Sequence, residues 1–245
     1  MAVIMHGEDD MITIRKSDDR SHLNHGWLDT YHTFSFGNYH DAEFMGFSAL
    51  RVINQDRVQG GQGFGTHGHA DMEIVSYVLE GVLEHKDSMG NGSQMRPGEV
   101  QLLSAGRGVT HSEFNASATE SLHFLQMWVI PAQRGTEPRY EQKQFPVAER
   151  RGAARLIASP DGEGGSLTIA QDVRLYAAFL DGEEAMRHAV PAGRVAWLHV
   201  ARGELFLNDE RLGPGDGAAI RNETDLVFER GVDSEFVLWE LPEAW

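Results

Sequence analysis

The stretch Gly65-Thr66-His67-Gly68-His69-Ala70-Asp71-Met72-Glu73 combines a histidine pair at i and i+2 with a glutamate four residues beyond it. On a β-strand such positions share a face, so His67 and His69 aim both rings at one point. A later stretch, Ser104-Ala105-Gly106-Arg107-Gly108-Val109-Thr110-His111-Ser112-Glu113, repeats that geometry with a nitrogen donor and an oxygen donor. Three imidazoles and one carboxylate suffice to hold a single transition metal. Neutral imidazoles with a carboxylate suit Fe(II), Mn, Ni, Cu or Zn, and the donor set does not choose among them. The chemistry of the chain is therefore expected between residues 61 and 115.

Glu73 and Glu113 compete for the oxygen position. Strand alternation favours Glu113, which shares the face of His111 if the strand is regular. Glu73 is then expected beside the metal, orienting an imidazole N–H, and both carboxylates are candidates for a part in catalysis. Four protein ligands on an ion that accepts five or six leave room for substrate or dioxygen. With a divalent ion they give a net charge of +1, which favours an anionic enolate or phenolate. Gly63-Phe64-Gly65-Thr66-His67-Gly68 matches G-x-G-x-x-G by letter, but a strand-like run follows it where a dinucleotide site needs a helix. His32, His40, His85, His123, His188 and His199 lack ligand-like spacing and are assigned ordinary surface or core roles. His123 and Trp128 fall on opposite faces of one strand, so only one of them looks into the site.

The 245 residues carry 21 basic and 37 acidic side chains, a formal charge of −16. That balance argues against a general phosphate-binding surface and against anionic lipid, so neither nucleic acid nor membrane is an expected partner. With no cysteine in the chain, disulfides and thiolate sites are excluded and every metal ligand must be His, Asp, Glu or water. No apolar run of about 18 residues is present, and the start of the chain does not resemble a secretory signal, so the cytoplasm is the expected location. Residues 1–10, ending Gly7-Glu8-Asp9-Asp10, are expected to be an extension ahead of Met11-Ile12-Thr13-Ile14.

Short β-branched and aromatic runs, such as Ile74-Val75-Ser76-Tyr77-Val78-Leu79 and Phe236-Val237-Leu238-Trp239, alternate with turn signals such as Gly90-Asn91-Gly92 and Arg96-Pro97-Gly98. This pattern predicts an all-β chain, an antiparallel barrel or sandwich. Val78-Leu79-Glu80-Gly81 before Pro97-Gly98-Glu99 has an echo in Val200-Ala201-Arg202-Gly203 before Pro214-Gly215-Asp216. Two repeated units are implied, the second without ligands: only His188 lies near its histidine-pair position, and Leu226-Val227-Phe228 occupies the position of His111. The polar stretch 134–151 is the expected linker, dividing the chain into residues 1–135 and 136–245.

The spacing of Gly61, His67, His69 and Glu73 resembles the first motif of the cupin superfamily, with Gly81 one residue late. Gly98, Ser104-Ala105-Gly106, His111 and Asn115 resemble the second motif, with Ser104 in place of proline and a longer gap before the histidine. Within the cupins, the two histidine stretches and Trp27-Leu28-Asp29-Thr30-Tyr31-His32-Thr33-Phe34-Ser35-Phe36 closely resemble the pirin family. The resemblance implies two cupin barrels, of the double-stranded β-helix or jelly-roll kind. It also implies metal ligation by His67, His69, His111 and Glu113, although Glu73 holds the ligand position of many cupins. Iron is the metal it favours. The implied activity is a quercetin 2,3-dioxygenase that opens the heterocycle of a flavonol-like substrate with dioxygen, in a monomer. The competing expectations are a non-enzymatic, redox-sensing regulator of pirin type, with a protein partner that the sequence does not identify, and a cupin enzyme acting on another small molecule.

Overall fold

The computed structural model describes residues 11–245, and the expected extension 1–10 lies outside the described residues. The described residues form three sheets. A seven-stranded sheet runs in the order Arg139–Gln144, Glu99–Ser104, Glu73–Glu80, Leu122–Val129, Leu50–Val58, Leu28–His32 and Ser21–Asn24. A four-stranded sheet, ordered Gly63–His69, Val109–Asn115, Leu83–Asp87 and Gly92–Met95, lies against it. Leu83 and Met95 of the smaller sheet pack with Leu28, Val58, Val78, Leu122 and Phe124 of the larger to fill one N-terminal barrel. A nine-stranded sheet built on the long strands Arg194–Leu207 and Asp225–Pro242 forms the second barrel, with Leu198, Phe228 and Phe236 in its core.

The most extensive apolar cluster lies between the barrels. Val75, Tyr77, Leu79, Leu125 and Met127 of the seven-stranded sheet pack there against Trp197, Val237 and Trp239 of the C-terminal barrel. Trp197 receives Phe34 at 4.8 Å and Phe47 at 5.4 Å between ring centroids, and Trp239 Nε1 donates to the Met127 sulfur at 3.3 Å. The seven-stranded sheet is therefore covered on both faces. This explains why Ile74–Leu79 reads as a continuous apolar run with one serine rather than as an alternation.

The repeat seen in the sequence appears in the backbone. Gly81 and Gly203 both have positive φ, +79° and +67°, and so do Gly98 and Gly215, +91° and +83°. A Cβ at Gly81 would meet the Ser121 carbonyl oxygen at 2.7 Å, and one at Gly203 the Asp233 carbonyl oxygen at 2.2 Å. Glycine is thus required twice over, by conformation and by close approach. Sheet membership, however, crosses the expected boundary at 135/136 in both directions. Ile12–Arg15 adds to Gly217–Ile220 on the C-terminal sheet, whereas Arg139–Gln144, part of the expected linker, pairs with Glu99–Ser104 on the N-terminal one. Polar composition marked that stretch as a connection, but main-chain pairing at a sheet edge tolerates polar side chains.

Charged groups are also enclosed between the barrels. Arg150, on the short helix Val147–Arg150, meets the Tyr77 hydroxyl and reaches Glu235 Oε1 at 3.1 Å. Tyr77 donates to the same oxygen at 2.5 Å, and Arg202 Nε lies 2.8 Å from Oε2. Arg150 and Glu235 are 1% and 2% exposed, so neither charge can be left to water. Glu235→Leu strands the Arg150 charge and is expected to cost about 3–5 kcal/mol in urea unfolding of the full chain. A loss below about 1 kcal/mol would show that Arg150 finds another partner or reaches solvent.

Candidate metal centre

Gly63–His69 pairs antiparallel with Val109–Asn115, placing His67 opposite His111 and His69 opposite Val109. The register then shifts, so that Glu113 lies opposite Phe64 and Gly65-Thr66 faces Ser112 alone. This is a β-bulge, one extra residue on the first strand. It resets the alternation: Phe64 packs against the barrel core, Gly65 and Thr66 are exposed, and His67 and His69 turn inward again. The other edge of Val109–Asn115 is regular, with Glu113 opposite His85 and His111 opposite Asp87. Val109, His111, Glu113 and Asn115 are accordingly all buried on the inner face.

His67, His69 and His111 bring one ring nitrogen each within 4.8 Å of one another. The Nε2 atoms of His67 and His111 face each other at 3.1 Å. Two nitrogens each about 2.1 Å from one ion and at right angles to each other would stand roughly 3 Å apart, so the spacing suits shared coordination. His67 Nδ1 lies 2.8 Å from the Gly65 carbonyl oxygen, which accepts its proton and leaves the Nε2 lone pair directed at His111. Burial, reinforced by His111 and His67, lowers the pKa of His69 to about 4, and burial with His67 and His85 lowers that of His111 to about 3. Both are therefore neutral near pH 7, the form in which an imidazole can donate to a metal.

Glu113 falls in a second, overlapping group, His85, His111 and Glu113, whose donor atoms are again within 4.8 Å. The expected ligand set is thus divided into two triads that share His111. Ser76 Oγ donates to Glu113 Oε1 at 3.0 Å and Gln126 Nε2 to Oε2 at 2.5 Å, while Trp128 Nε1 donates to Gln126 Oε1 at 3.3 Å. Trp128 also sets its ring edge-on to His69 at 4.9 Å and is met by Phe36 at 5.3 Å. Trp128, not His123, is the residue of that strand that turns to the cluster. Outside it, an open recess of about 570 Å³ is lined by Gly68, His69, Ala70, Ser88, Gly108, Val109 and Thr110.

Glu73 does not join this cluster. Its Oε2 accepts from Ser104 Oγ at 2.8 Å and from the Ala170 backbone N–H at 3.0 Å, so it ties the N-terminal sheet to the C-terminal half and orients no imidazole. Burial raises its pKa against the pull of those two hydrogen bonds. The cause is alternation: Glu73 shares a face with Val75, Tyr77 and Leu79, which look into the cluster between the barrels, whereas Ser76 looks into the N-terminal barrel.

Two residues of the site lack any sequence signal of their own. His85 is fully buried, with Nε2 3.1 Å from Asp87 Oδ2 and Nδ1 without a hydrogen-bond partner, and it stacks on Tyr140 at 4.8 Å. Only its register opposite Glu113 makes it a neighbour of the imidazoles. Asp56, buried and hydrogen-bonded to Thr30 Oγ1 at 2.5 Å, has its pKa raised to about 7 by burial, opposed by that bond and helped by Glu113. Among the described residues, no comparable donor group falls in the C-terminal barrel.

A family model described as Pirin matches residues 13–129, and one described as Quercetinase C-terminal cupin domain matches residues 156–241. Quercetin 2,3-dioxygenase of Escherichia coli K12 is 49% identical over 232 residues, 95% of this chain and 99% of that protein. A pirin-like protein of Caulobacter vibrioides is 36% identical over 229 residues, 93% of this chain and 98% of its own. The crystal structure of the E. coli bacterial pirin YhhW in complex with nickel(II) superposes with a TM-score of 0.90 at 49% identity, covering 95% of this chain and 99% of that one. Matched in both halves and aligned with these relatives nearly end to end, the chain belongs to the pirin family and carries its two cupin barrels.

Proposed function

We propose that this pirin is a dioxygenase that opens the heterocycle of quercetin-like flavonols, using one divalent metal held by His67, His69, His111 and Glu113. The observation that carries the reading is the convergence of three imidazoles, His69 and His111 held neutral by burial and the Nε2 atoms of His67 and His111 3.1 Å apart. The name of the E. coli relative supports the substrate class, and the nickel(II) complex of YhhW supports a divalent transition metal. Fe(II) is the metal we assign, on the family likeness. When bound, the ion supplies Lewis acidity for a flavonol oxyanion and a position for dioxygen.

The residues of the chain supply the rest. His67 presents Nε2 because Gly65 holds the proton on Nδ1. Ser76 and Gln126 each occupy one oxygen of Glu113, fixing the carboxylate plane and spreading its charge. His85, with a buried and unpartnered Nδ1, is the nearest further donor on the Glu113 side. Trp128 and Phe36 give the mouth an aromatic wall beside His69, suited to a flat polyphenol. The recess itself is open and lined by small side chains, which leaves the regulator reading as the outcome in which a flavonol binds without turnover.

Glu113→Gln is expected to weaken metal retention against a chelator more than Glu73→Gln, whose partners are Ser104 and Ala170. Gln126→Leu should fall between them, costing about 10- to 100-fold in affinity or activity. The reverse order of the two glutamates would make Glu73 the ligand. Under nitrogen, the metal-replete protein should shift the absorption of quercetin as its 3-hydroxyl ionises, and in air it should consume quercetin and release carbon monoxide. Consumption no faster than by His67→Ala would end the dioxygenase reading.

A further inference from the structure

We propose that a second site, a small-anion pocket on the opposite side of the seven-stranded sheet from the metal centre, is anchored by Arg20 and takes one carboxylate or phosphate oxyanion. A recess of about 160 Å³ opens there between the barrels, lined among others by Arg20, Tyr31, Gln55, Arg57 and His123 from the N-terminal half and Gly215 from the C-terminal half. Tyr31, Gln55, Arg57 and His123 reach it by alternation, since Thr30 and Asp56 on the same strands point into the barrel.

Arg20 is 7% exposed, and among the described residues no carboxylate lies within ion-pair distance of it. Its hydrogen bonds all go to neutral acceptors: Nε to the Ser17 carbonyl at 3.4 Å, Nη1 to Gln55 Oε1 at 3.2 Å and Nη2 to Ser17 Oγ at 2.9 Å. Of the five guanidinium N–H groups, one on each terminal nitrogen is left over, the pair that grips an oxyanion end-on. Asp216, whose charge acts on Arg20 from the C-terminal half, is itself engaged by Lys16 Nζ at 2.9 Å and the Ser17 backbone N–H at 2.7 Å. Burial lowers the pKa of Arg20 to about 10 against the opposing pull of Tyr31, Asp216 and Asp18, so the group is still charged at neutral pH, enclosed and with no carboxylate in direct contact among the described residues. An uncompensated buried charge is costly, and a bound anion offsets that cost.

The surroundings are built to hold the guanidinium still. It lies over the Tyr31 ring at 4.9 Å, and Tyr31 is stacked on His22 at 4.2 Å. A Cβ at Gly215 would stand 2.2 Å from Arg20 Nη2, so the glycine backbone forms the opposite wall. Gln55 Nε2, which donates to the Ala201 carbonyl at 3.1 Å, also lies 3.0 Å from His123 Nε2, putting the His123 proton on Nδ1, a buried donor without a hydrogen-bond partner. The one carboxylate in the lining, Asp29, is engaged by His22 Nε2 at 2.6 Å and by Asn24 Nδ2 at 3.4 Å. The formal charge of −16 describes the whole chain, whereas this recess presents Arg20 and, beside it, Arg57, whose Nη1 is also met by Glu80 Oε2 at 3.3 Å.

The test is calorimetric titration of the full-length, metal-loaded protein with inorganic phosphate and, separately, with acetate, at ionic strength held constant with sodium chloride. Saturable binding of at least one is expected; phosphate alone assigns an oxyanion site and acetate alone a carboxylate site. Arg20→Gln should weaken it by roughly tenfold to a hundredfold, the worth of a charge-assisted hydrogen bond. Arg57, about half exposed, can be replaced without disturbing the fold, and Arg57→Gln should weaken binding by about threefold or more, deciding the matter if Arg20→Gln does not fold. The double variant His67→Ala with His69→Ala should bind the anion as the wild type does. No binding of either anion, binding indifferent to both arginine variants, or binding lost with the two histidines would overturn the proposal.

Discussion

A sheet buried on both faces must satisfy two interiors with alternate residues of the same strands, and the strand Glu73–Glu80 shows how tightly that binds sequence to function. Its odd positions fill the space between the barrels, while Ser76 and Val78 face into the N-terminal barrel, Ser76 at the metal centre. Ser76 reaches Glu113 from a position flanked by Val75 and Tyr77, both committed to the other side. A one-residue slip of this strand would exchange the two sets, putting Tyr77 beside the imidazoles and Ser76 into an apolar seam. The position of Glu113 is therefore fixed as much by packing against the C-terminal barrel as by the strands that carry the histidines. The ligand-free second barrel contributes the surface that holds this register.

The histidine pair, His111 and Glu113 were legible because each depends on separation within one strand, and period-two geometry survives in a linear sequence. Their convergence was legible only through the motif spacing. Glu73 misled because it holds the ligand position of many cupins, whereas its face here is set by the strand that begins at Glu73 itself. The alternation Val75, Tyr77, Leu79 could have shown this, had the apolar run been known to serve two cores. His85 and Asp56 were not legible at all: their place depends on cross-strand register, and a single buried histidine or aspartate has no pattern of its own. The strand Arg139–Gln144, inside the expected linker, was hidden for a similar reason, since edge strands carry polar residues and read as loops.

Buried polar groups are handled differently in different parts of the molecule. Between the barrels, the Glu235 carboxylate is shared by Arg150, Arg202 and the Tyr77 hydroxyl. At the metal centre, burial removes the charge of the imidazoles instead, which readies their lone pairs for a cation. Arg20 follows neither course: its ordinary pKa is too high for burial to neutralise it, and among the described residues no acid pairs with it directly. The same enclosure thus produces a site for a cation on one side of the sheet and a place for an anion on the other.

The pairing of Ile12–Arg15 with Gly217–Ile220 bears on how the chain is made. Ile12 is among the first described residues to leave the ribosome, yet its partner Ile220 emerges about 200 residues later. At roughly 5–20 residues per second, that is an interval of about 10–40 s. Throughout it the N-terminal barrel can assemble from strands already synthesised, while Ile12 and Ile14 wait without the edge they complete. An early segment is therefore late to find its place, and its docking on the second barrel waits for the strand Gly217–Ile220 to be made.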